Sequence, residues 1–446
     1  MSSPELVSGF GQYVARQGSA GRLVVQPRMG FSEANRMREG LLAVKSAAGS
    51  TAGTITLDSF TRINRHQSAL RHLDEEMTLN GYPIVAYGPE ATRKMLEDVE
   101  DEGFPIQVRH GSADPREIFV AMLASGLYAT EGGPISYCLP YSRMPLTEAV
   151  PAWRESAETL AEAEAAGQPV HMESFGGCLL GQLCPPSLLV AVSLLEGVFF
   201  RTHGLRNLSL SYAQQTSPAQ DREAVAALRR LADEFLPDVD WHVVIYTYMG
   251  LFPSTLEGAQ ALLDESVRLA SESGAERLIV KTALEAFRIP TIAENVEALE
   301  RSSDLALQVR RMSMADGLYF DMYESDSETY IEARGLIEAV LELDEDIDAA
   351  LLKAFERGFL DIPFCLHPDN RNESRSVIAD DGRLQWLDTG QMPLPQPHHA
   401  ADSLTADGLL ASLNYTASHY DTGLERGQSI AALAGQGQAA TTMGRT

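Results

Sequence analysis

The chain has 446 residues, 44% hydrophobic and 22% charged, with 62 acidic side chains against 35 basic ones and a formal net charge of −27. That length buries one large core or two modest ones, and so acidic a surface repels phosphate backbones and anionic lipid, so neither nucleic acid nor a membrane is an expected partner. No apolar run is long enough to span a bilayer and Met1–Phe10 lacks the basic start of a signal peptide, so a cytoplasmic location is expected.

In chain order, short β-rich runs alternate with helical stretches. The runs are Leu23–Val25, Thr54–Leu57, Pro83–Tyr87, Ile106–Val108, Pro169–Met172, Asn207–Tyr212, Trp241–Thr247 and Arg277–Val280, with Leu127–Thr130 as a weaker ninth. Helices are expected between them, among others over Ser32–Ser46, Ala219–Phe235 and Leu256–Ser273. Another is expected over Pro115–Gly126, with Asp114 as its N-cap and Pro115 at the first position. Strand–helix alternation argues a parallel sheet with crossover helices. Eight units close a (β/α)8 TIM barrel, whereas an open doubly wound sheet usually stops at five or six strands.

After Pro290 the chain reads as helical over Ile292–Arg311 and Glu332–Arg357, then as a mixed C-terminal extension. The expected division is an N-terminal segment (1–20), a barrel domain (21–360) and an extension (361–446) whose Ala-, Gly-, Ser- and Thr-rich tail is weakly ordered from about Ala400. Cys138, Cys178, Cys184 and Cys365 form no CxxC pair and the ten histidines no HExxH pattern, so neither a disulfide framework nor a protein-held metal is expected.

Barrel active sites lie at the C-terminal ends of the strands. Polar residues stand there: Arg28 after the first run, Arg62 after the second, Arg109 and His110 after the fourth, and Lys281 with Thr282 after the last. A lone arginine is most often a surface residue or paired with a nearby acid. Three at matching strand ends would converge over one cavity, and arginine grips carboxylates through two bonds, so a dicarboxylate substrate follows. A second cluster packs Glu131, Tyr137 and Tyr141 around a Gly132-Gly133-Pro134 turn. Its carboxylate could hold an ammonium and its phenols a carboxylate, though a Gly/Pro loop with two half-buried tyrosines is an equal reading.

QPRMG (Gln26–Gly30), DSFTR (Asp58–Arg62), LNGYP (Leu79–Pro83), QVRHG (Gln107–Gly111), EGGPISYxxPY (Glu131–Tyr141), ESFG (Glu173–Gly176), MGLFP (Met249–Pro253), IVKTxxEA (Ile279–Ala286) and DIPF (Asp361–Phe364) occur in this order. Together they resemble the ε (E) subunit of glutamate mutase, or methylaspartate mutase, from about residue 20 to 395. The chain departs from the family pattern at Pro134, where the family has a third glycine, at Leu251, and in a shorter N-terminus.

The resemblance implies an isomerase: the catalytic subunit of an adenosylcobalamin-dependent radical mutase interconverting L-glutamate and threo-3-methyl-L-aspartate. It implies that a 5′-deoxyadenosyl radical takes hydrogen from C4 of glutamate and that the substrate radical fragments and recombines. It also implies that Arg28, Arg62 and Arg109 hold the substrate carboxylates with His110 beside them, and that Glu131 takes the ammonium with Tyr137 and Tyr141. Gly30, Asn80, Pro140, Phe252, Lys281, Glu285 and Ile289 match family positions that touch the coenzyme. Lys281 and Glu285 would share one helical face, whose ordinary reading is an i,i+4 salt bridge. The sequence lacks DxHxxG, the cobalamin-binding signature, which the family carries on a small σ (S) subunit. The implied partner is therefore that cobalt-holding subunit, in an ε2σ2 heterotetramer built on an ε–ε dimer. A related mutase acting on another amino or dicarboxylic acid, and a non-catalytic barrel paralogue, are the alternatives.

Overall fold

The computed structural model describes residues 9–75, 77–285, 288–315, 326–396 and 404–421. Its centre is a parallel sheet of strands β1 (Val24–Pro27), β2 (Ser50–Thr51), β3 (Gly53–Thr56), β4 (Ile106–Arg109), β5 (Ala129–Gly132), β6 (His171–Ser174), β7 (Asn207–Ala213), β8 (Asp240–Tyr246) and β9 (Arg277–Val280). They are ordered β2-β1-β9-β8-β7-β6-β5-β4-β3. β2 and β3 are two halves of one strand, split at Ala52. Val25 O accepts from Ala52 N at 3.2 Å and Met29 O from Thr56 N at 2.9 Å, which draws the two edges together. The result is the expected eight-unit α/β barrel of the TIM type.

Two runs exchange roles relative to the sequence reading. Pro83–Tyr87 is not a strand: Tyr82 makes a single bridge to Leu57, and the chain then turns helical over Ile84–Leu96 with a break at Gly88, whose φ is 75°. Five apolar residues do not distinguish a strand from the buried face of a helix. The weaker run near Leu127–Thr130 does supply a barrel strand, β5, fully buried although it carries Thr130 and Glu131. The helix after β4 spans Arg116–Ala124, so Pro115 takes the capping position expected of Asp114. The stretch 332–357 is two helices, Glu328–Leu341 and Ile347–Arg357. The extension holds an antiparallel hairpin, β10 (Arg375–Ile378) and β11 (Leu384–Asp388). In the tail expected to be weakly ordered, Ala406–Asp421 is a helix. Asp421 holds it down, its carboxylate accepting from the backbone N–H groups of Ser254 (2.8 Å) and Thr255 (3.1 Å). Residues 397–403 and 422–446 lie outside the described residues.

The outward faces of the strands are apolar and meet the helices in one continuous core. The barrel interior, usually filled by branched aliphatic side chains, is polar here. Arg277 and Glu173 are fully buried and form an ion pair. Arg277 also donates to Gln26 Oε1 (2.6 Å), Gln107 Oε1 (3.2 Å) and Ser209 Oγ (2.9 Å). Below, the N-terminal helix Phe10–Ser19 seats the Phe10 ring on His171 (5.2 Å between centroids), which stacks on His242 (5.0 Å).

Removing one member of a buried, hydrogen-bonded ion pair leaves the other charge uncompensated, at about 3–5 kcal/mol. Arg277→Met is expected to lose about that much stability in denaturant unfolding, and Glu173→Gln/Arg277→Met to recover part of it. A single variant within about 1 kcal/mol of the native protein would show that the pair is not what holds the interior.

Candidate active site

Above this polar column, at the C-terminal ends of the strands, lies a cavity of about 280 Å³. Arg28, Arg62, Arg109, His110, Glu131, Tyr137 and Tyr141, the residues assigned to substrate from the sequence, all line it. Thr56, Ser59, Phe175 and Met249 complete much of the wall.

Each side chain is placed by local structure. The DSFTR motif folds into the short helix Ser59–Arg62 because Asp58 caps it, accepting from Phe60 N (2.8 Å) and Thr61 N (3.1 Å). Arg62 ends that helix and is pinned by Nε donating to Leu57 O at 3.0 Å. Burial, with the Arg28 and Arg109 charges nearby, lowers its pKa from the ordinary arginine value. Arg109, the last residue of β4, is buried; Nε donates to Glu131 Oε2 at 2.7 Å and Nη2 to the Tyr246 hydroxyl at 3.2 Å. Glu131 faces it from β5, accepts from Tyr137 Oη, and shares the single proton of Tyr246 Oη (2.8 Å) with Glu173. Burial and the Glu131 charge hold the Tyr137 phenol well above its usual pKa, so it stays a donor. Arg28 is partly exposed and pairs with Glu285 at 2.9 Å.

His110 is buried among Phe119, Tyr137 and Trp153. Its Nδ1 accepts from Ser112 N at 3.0 Å, which places the ring proton on Nε2, buried beside the Glu131 backbone. Burial, reinforced by the Arg62 and Arg109 charges, takes its pKa down to about 3. The cavity wall therefore carries a neutral imidazole.

The residues assigned to coenzyme lie on the loops of the same end. Gly30 follows β1, and a Cβ there would stand 2.4 Å from Thr56 O. Asn80 accepts from Ser59 N at 2.9 Å. Pro140 borders a second depression, of about 450 Å³, with Tyr141, Phe364 and Leu366. Lys281 Nζ donates to Tyr248 O (2.8 Å) and sits 5.1 Å from the Phe252 ring, and burial with the Arg28 charge brings its pKa down to about 7. Ile289 is exposed. One expectation is corrected: Lys281 and Glu285 do not share a helical face. The chain from 281 to 285 is a loop and turn, so Glu285 swings to Arg28 instead. Ala286, the end of that motif, lies outside the described residues.

Sequence reasoning missed the supports. Tyr246 touches Arg109 and both buried glutamates; Glu173 and Arg277 carry it from below. The signal for Glu173 was present as polar residues at alternate positions of a buried strand, in HMES, as in the neighbouring IQVR and NLSLSYA, whereas Tyr246 and Arg277 stand in the mostly apolar DWHVVIY and RLIV. Such alternation marks the face turned to the barrel axis.

The family profile "Methylaspartate mutase E chain (MutE)" matches residues 7–404. Among curated relatives, the chain is 30% identical over 392 residues to the glutamate mutase epsilon subunit of Escherichia coli O157:H7, covering 84% of this chain and 79% of that one. It is 32% identical over 386 residues to the one from Halobacterium salinarum (84% and 79%) and 31% over 388 residues to the one from Haloarcula marismortui (84% and 78%).

A base whose folded pKa is depressed contributes stability that is complete above its unfolded value of about 6.5 and is lost as pH falls through the folded one. His110 acts in this sense, as do His171 and His242, which burial and Arg277 hold well below the usual histidine range. Stability is expected to rise from pH 5 to 7.5, and the carbon-13-labelled His110 ring to keep neutral-form shifts throughout. An NMR titration midpoint for His110 above pH 6 would overturn this.

Proposed function

The chain belongs to the methylaspartate mutase E chain family, and from that premise we propose that it is the catalytic subunit of a mutase interconverting L-glutamate and threo-3-methyl-L-aspartate. The observation that carries the reading is the convergence of three arginines and one carboxylate on one small cavity. Glutamate presents two carboxylates and one ammonium, which is the complementary set. Arg28, Arg62 and Arg109 hold the carboxylates, and Glu131 takes the ammonium. Tyr137 and Tyr141 add phenolic donors, and the neutral His110 lines the cavity without a further charge.

Cobalamin supplies the hard chemistry of this reaction when bound, as the source of a carbon radical from its cobalt–carbon bond. The residues at the cavity mouth fit a large corrin-bearing group. Ile63, Tyr141, Leu251, Ile289 and Leu366 are exposed on loops of this end, in a chain whose net charge is −27. Gly30, Asn80, Pro140, Phe252, Lys281, Glu285 and Ile289 would hold the adenosyl side. The chain itself lacks DxHxxG, so we assign the cobalt to a small σ-type partner docked over this rim, in an ε2σ2 assembly in the cytoplasm. The protein's own work is to bind, orient and exclude water. Grips fixed on strand ends keep reacting fragments together, and proximity of this kind supplies several kcal/mol.

Three outcomes test the reading. The chain alone is expected to be inactive, and to turn glutamate into methylaspartate once the cobalamin-binding partner and adenosylcobalamin are added. Robust turnover without a partner would refute the division of labour, and turnover of a different acid would favour a related mutase. Glu131→Gln removes a charge-assisted hydrogen bond of about 1.5–3 kcal/mol, so the KM for glutamate should rise about tenfold or more while the fold persists. Arg62→Lys and Arg109→Lys keep the charge but replace a planar fork by a mobile point donor. A substrate displaced by about 1 Å loses on the order of a hundredfold in rate. Near-normal turnover of both, with unchanged circular dichroism, would remove the arginines from substrate binding.

A further inference from the structure

We propose that Glu196, on the helix Pro186–Thr202, is a positioning residue of the substrate site: its carboxylate fixes the loop after β5 that carries Tyr137, and through Tyr137 it fixes Glu131. The inference rests on the reading of the cavity as the glutamate site.

Glu196 is the one charged side chain between Pro186 and Phe200, in a stretch buried throughout. The helix is covered on its far side by Glu328–Leu341, so no solvent reaches it. A carboxylate in such a place is costly unless its oxygens are filled by donors. They are. Oε1 accepts from the backbone N–H groups of Ile135 (3.2 Å) and Ser136 (2.8 Å), and Oε2 from Ser136 Oγ (3.0 Å). Ser174 Oγ, at the end of β6, lies 3.1 Å from Oε2 and shares its proton with Ser193 O. One carboxylate thus ties the loop after β5 to the end of β6.

The loop has no room to settle elsewhere. A Cβ at Gly133 would stand 2.0 Å from the Glu196 carboxyl, so the backbone passes directly over it. Tyr137 follows at once, its N–H donating to Gly133 O at 3.1 Å and its phenol to Glu131. Burial raises the Glu196 carboxyl to about 7 against the pull of these donors, in keeping with a group retained for its bonds and not for its solvation. A purely structural acid would hold the loop without any path to the substrate; here the path is two bonds long.

The test compares Glu196→Gln, Tyr137→Phe and the double variant in the complex with partner subunit and adenosylcobalamin. Glu196→Gln keeps the shape but turns one acceptor into a donor facing donors. Its KM for glutamate is expected to rise about tenfold, with a smaller fall in kcat. In the Tyr137→Phe background the same substitution should add less than about twofold, because the route through the phenol is already cut. Multiplying effects, or an unchanged KM, would overturn the proposal. Hydrogen–deuterium exchange of residues 133–137 reads the clamp without activity: it should quicken in Glu196→Gln, and an unchanged rate would also overturn it. If Glu196→Gln does not fold, Ser136→Ala removes one donor and should raise KM about threefold, again with no rise counting against the proposal. Should the native complex neither bind nor turn over glutamate, the functional reading fails, while exchange still decides whether Glu196 fixes this loop.

Discussion

The interior of this barrel depends on one fully buried ion pair, Arg277 with Glu173. Parallel barrels are ordinarily filled by aliphatic layers, and replacing a buried pair by apolar groups is often neutral or stabilising. Stability alone therefore does not account for it. What the pair provides is a fixed floor for polar groups above. Glu173 receives Tyr246, and Tyr246 in turn meets Arg109 and Glu131 at the base of the cavity. An aliphatic layer would offer these groups no partners, and the grips at the cavity would lose their orientation.

The same logic sets the electrostatics of the site. Arg109 and Glu131 form a buried pair at 2.7 Å at the base of the cavity, and the Glu131 charge keeps the Arg109 guanidinium cationic despite its burial. Arg62 stays cationic beside them against burial, and His110 stays neutral because it is buried next to two guanidiniums. The cavity thus sets guanidiniums, a carboxyl group and a neutral imidazole side by side.

Much of this was legible in the sequence. Parallel strand–helix rhythm gave the barrel, and the placement of Arg28, Arg62 and Arg109 after the first, second and fourth runs foretold their meeting, since strand ends in a barrel share one face. The errors have physical causes. PIVAY is apolar enough for a strand but too short to exclude a helix, and the segment carrying Glu131 seemed weak because a polar interior gives polar strands. Lys281 and Glu285, four apart, suggested a helical turn, but the chain leaves β9 as a loop and Glu285 meets Arg28 across the barrel end. Glu196 could not be found, because the bonds by which it fixes the loop include two to backbone N–H groups some sixty residues away, and backbone groups leave no trace in a sequence.

A single device recurs at the functional end. Asp58 accepts the amides that start the helix bearing Arg62; Glu196 accepts those of the loop bearing Tyr137; Asp421 accepts those of Ser254 and Thr255, just beyond Phe252. Loops are ordinarily the mobile part of a barrel, yet they carry its function. A carboxylate that takes two or more backbone N–H groups removes that freedom at one point and leaves the side chains on the loop to face the cavity. Part of this chain's acidic excess is thus spent inside, holding loops still beside the arginines of the cavity. A grip set at a strand end keeps its geometry only if the loop beside it is held still, so fixing these loops matters to the site as much as the charges they carry.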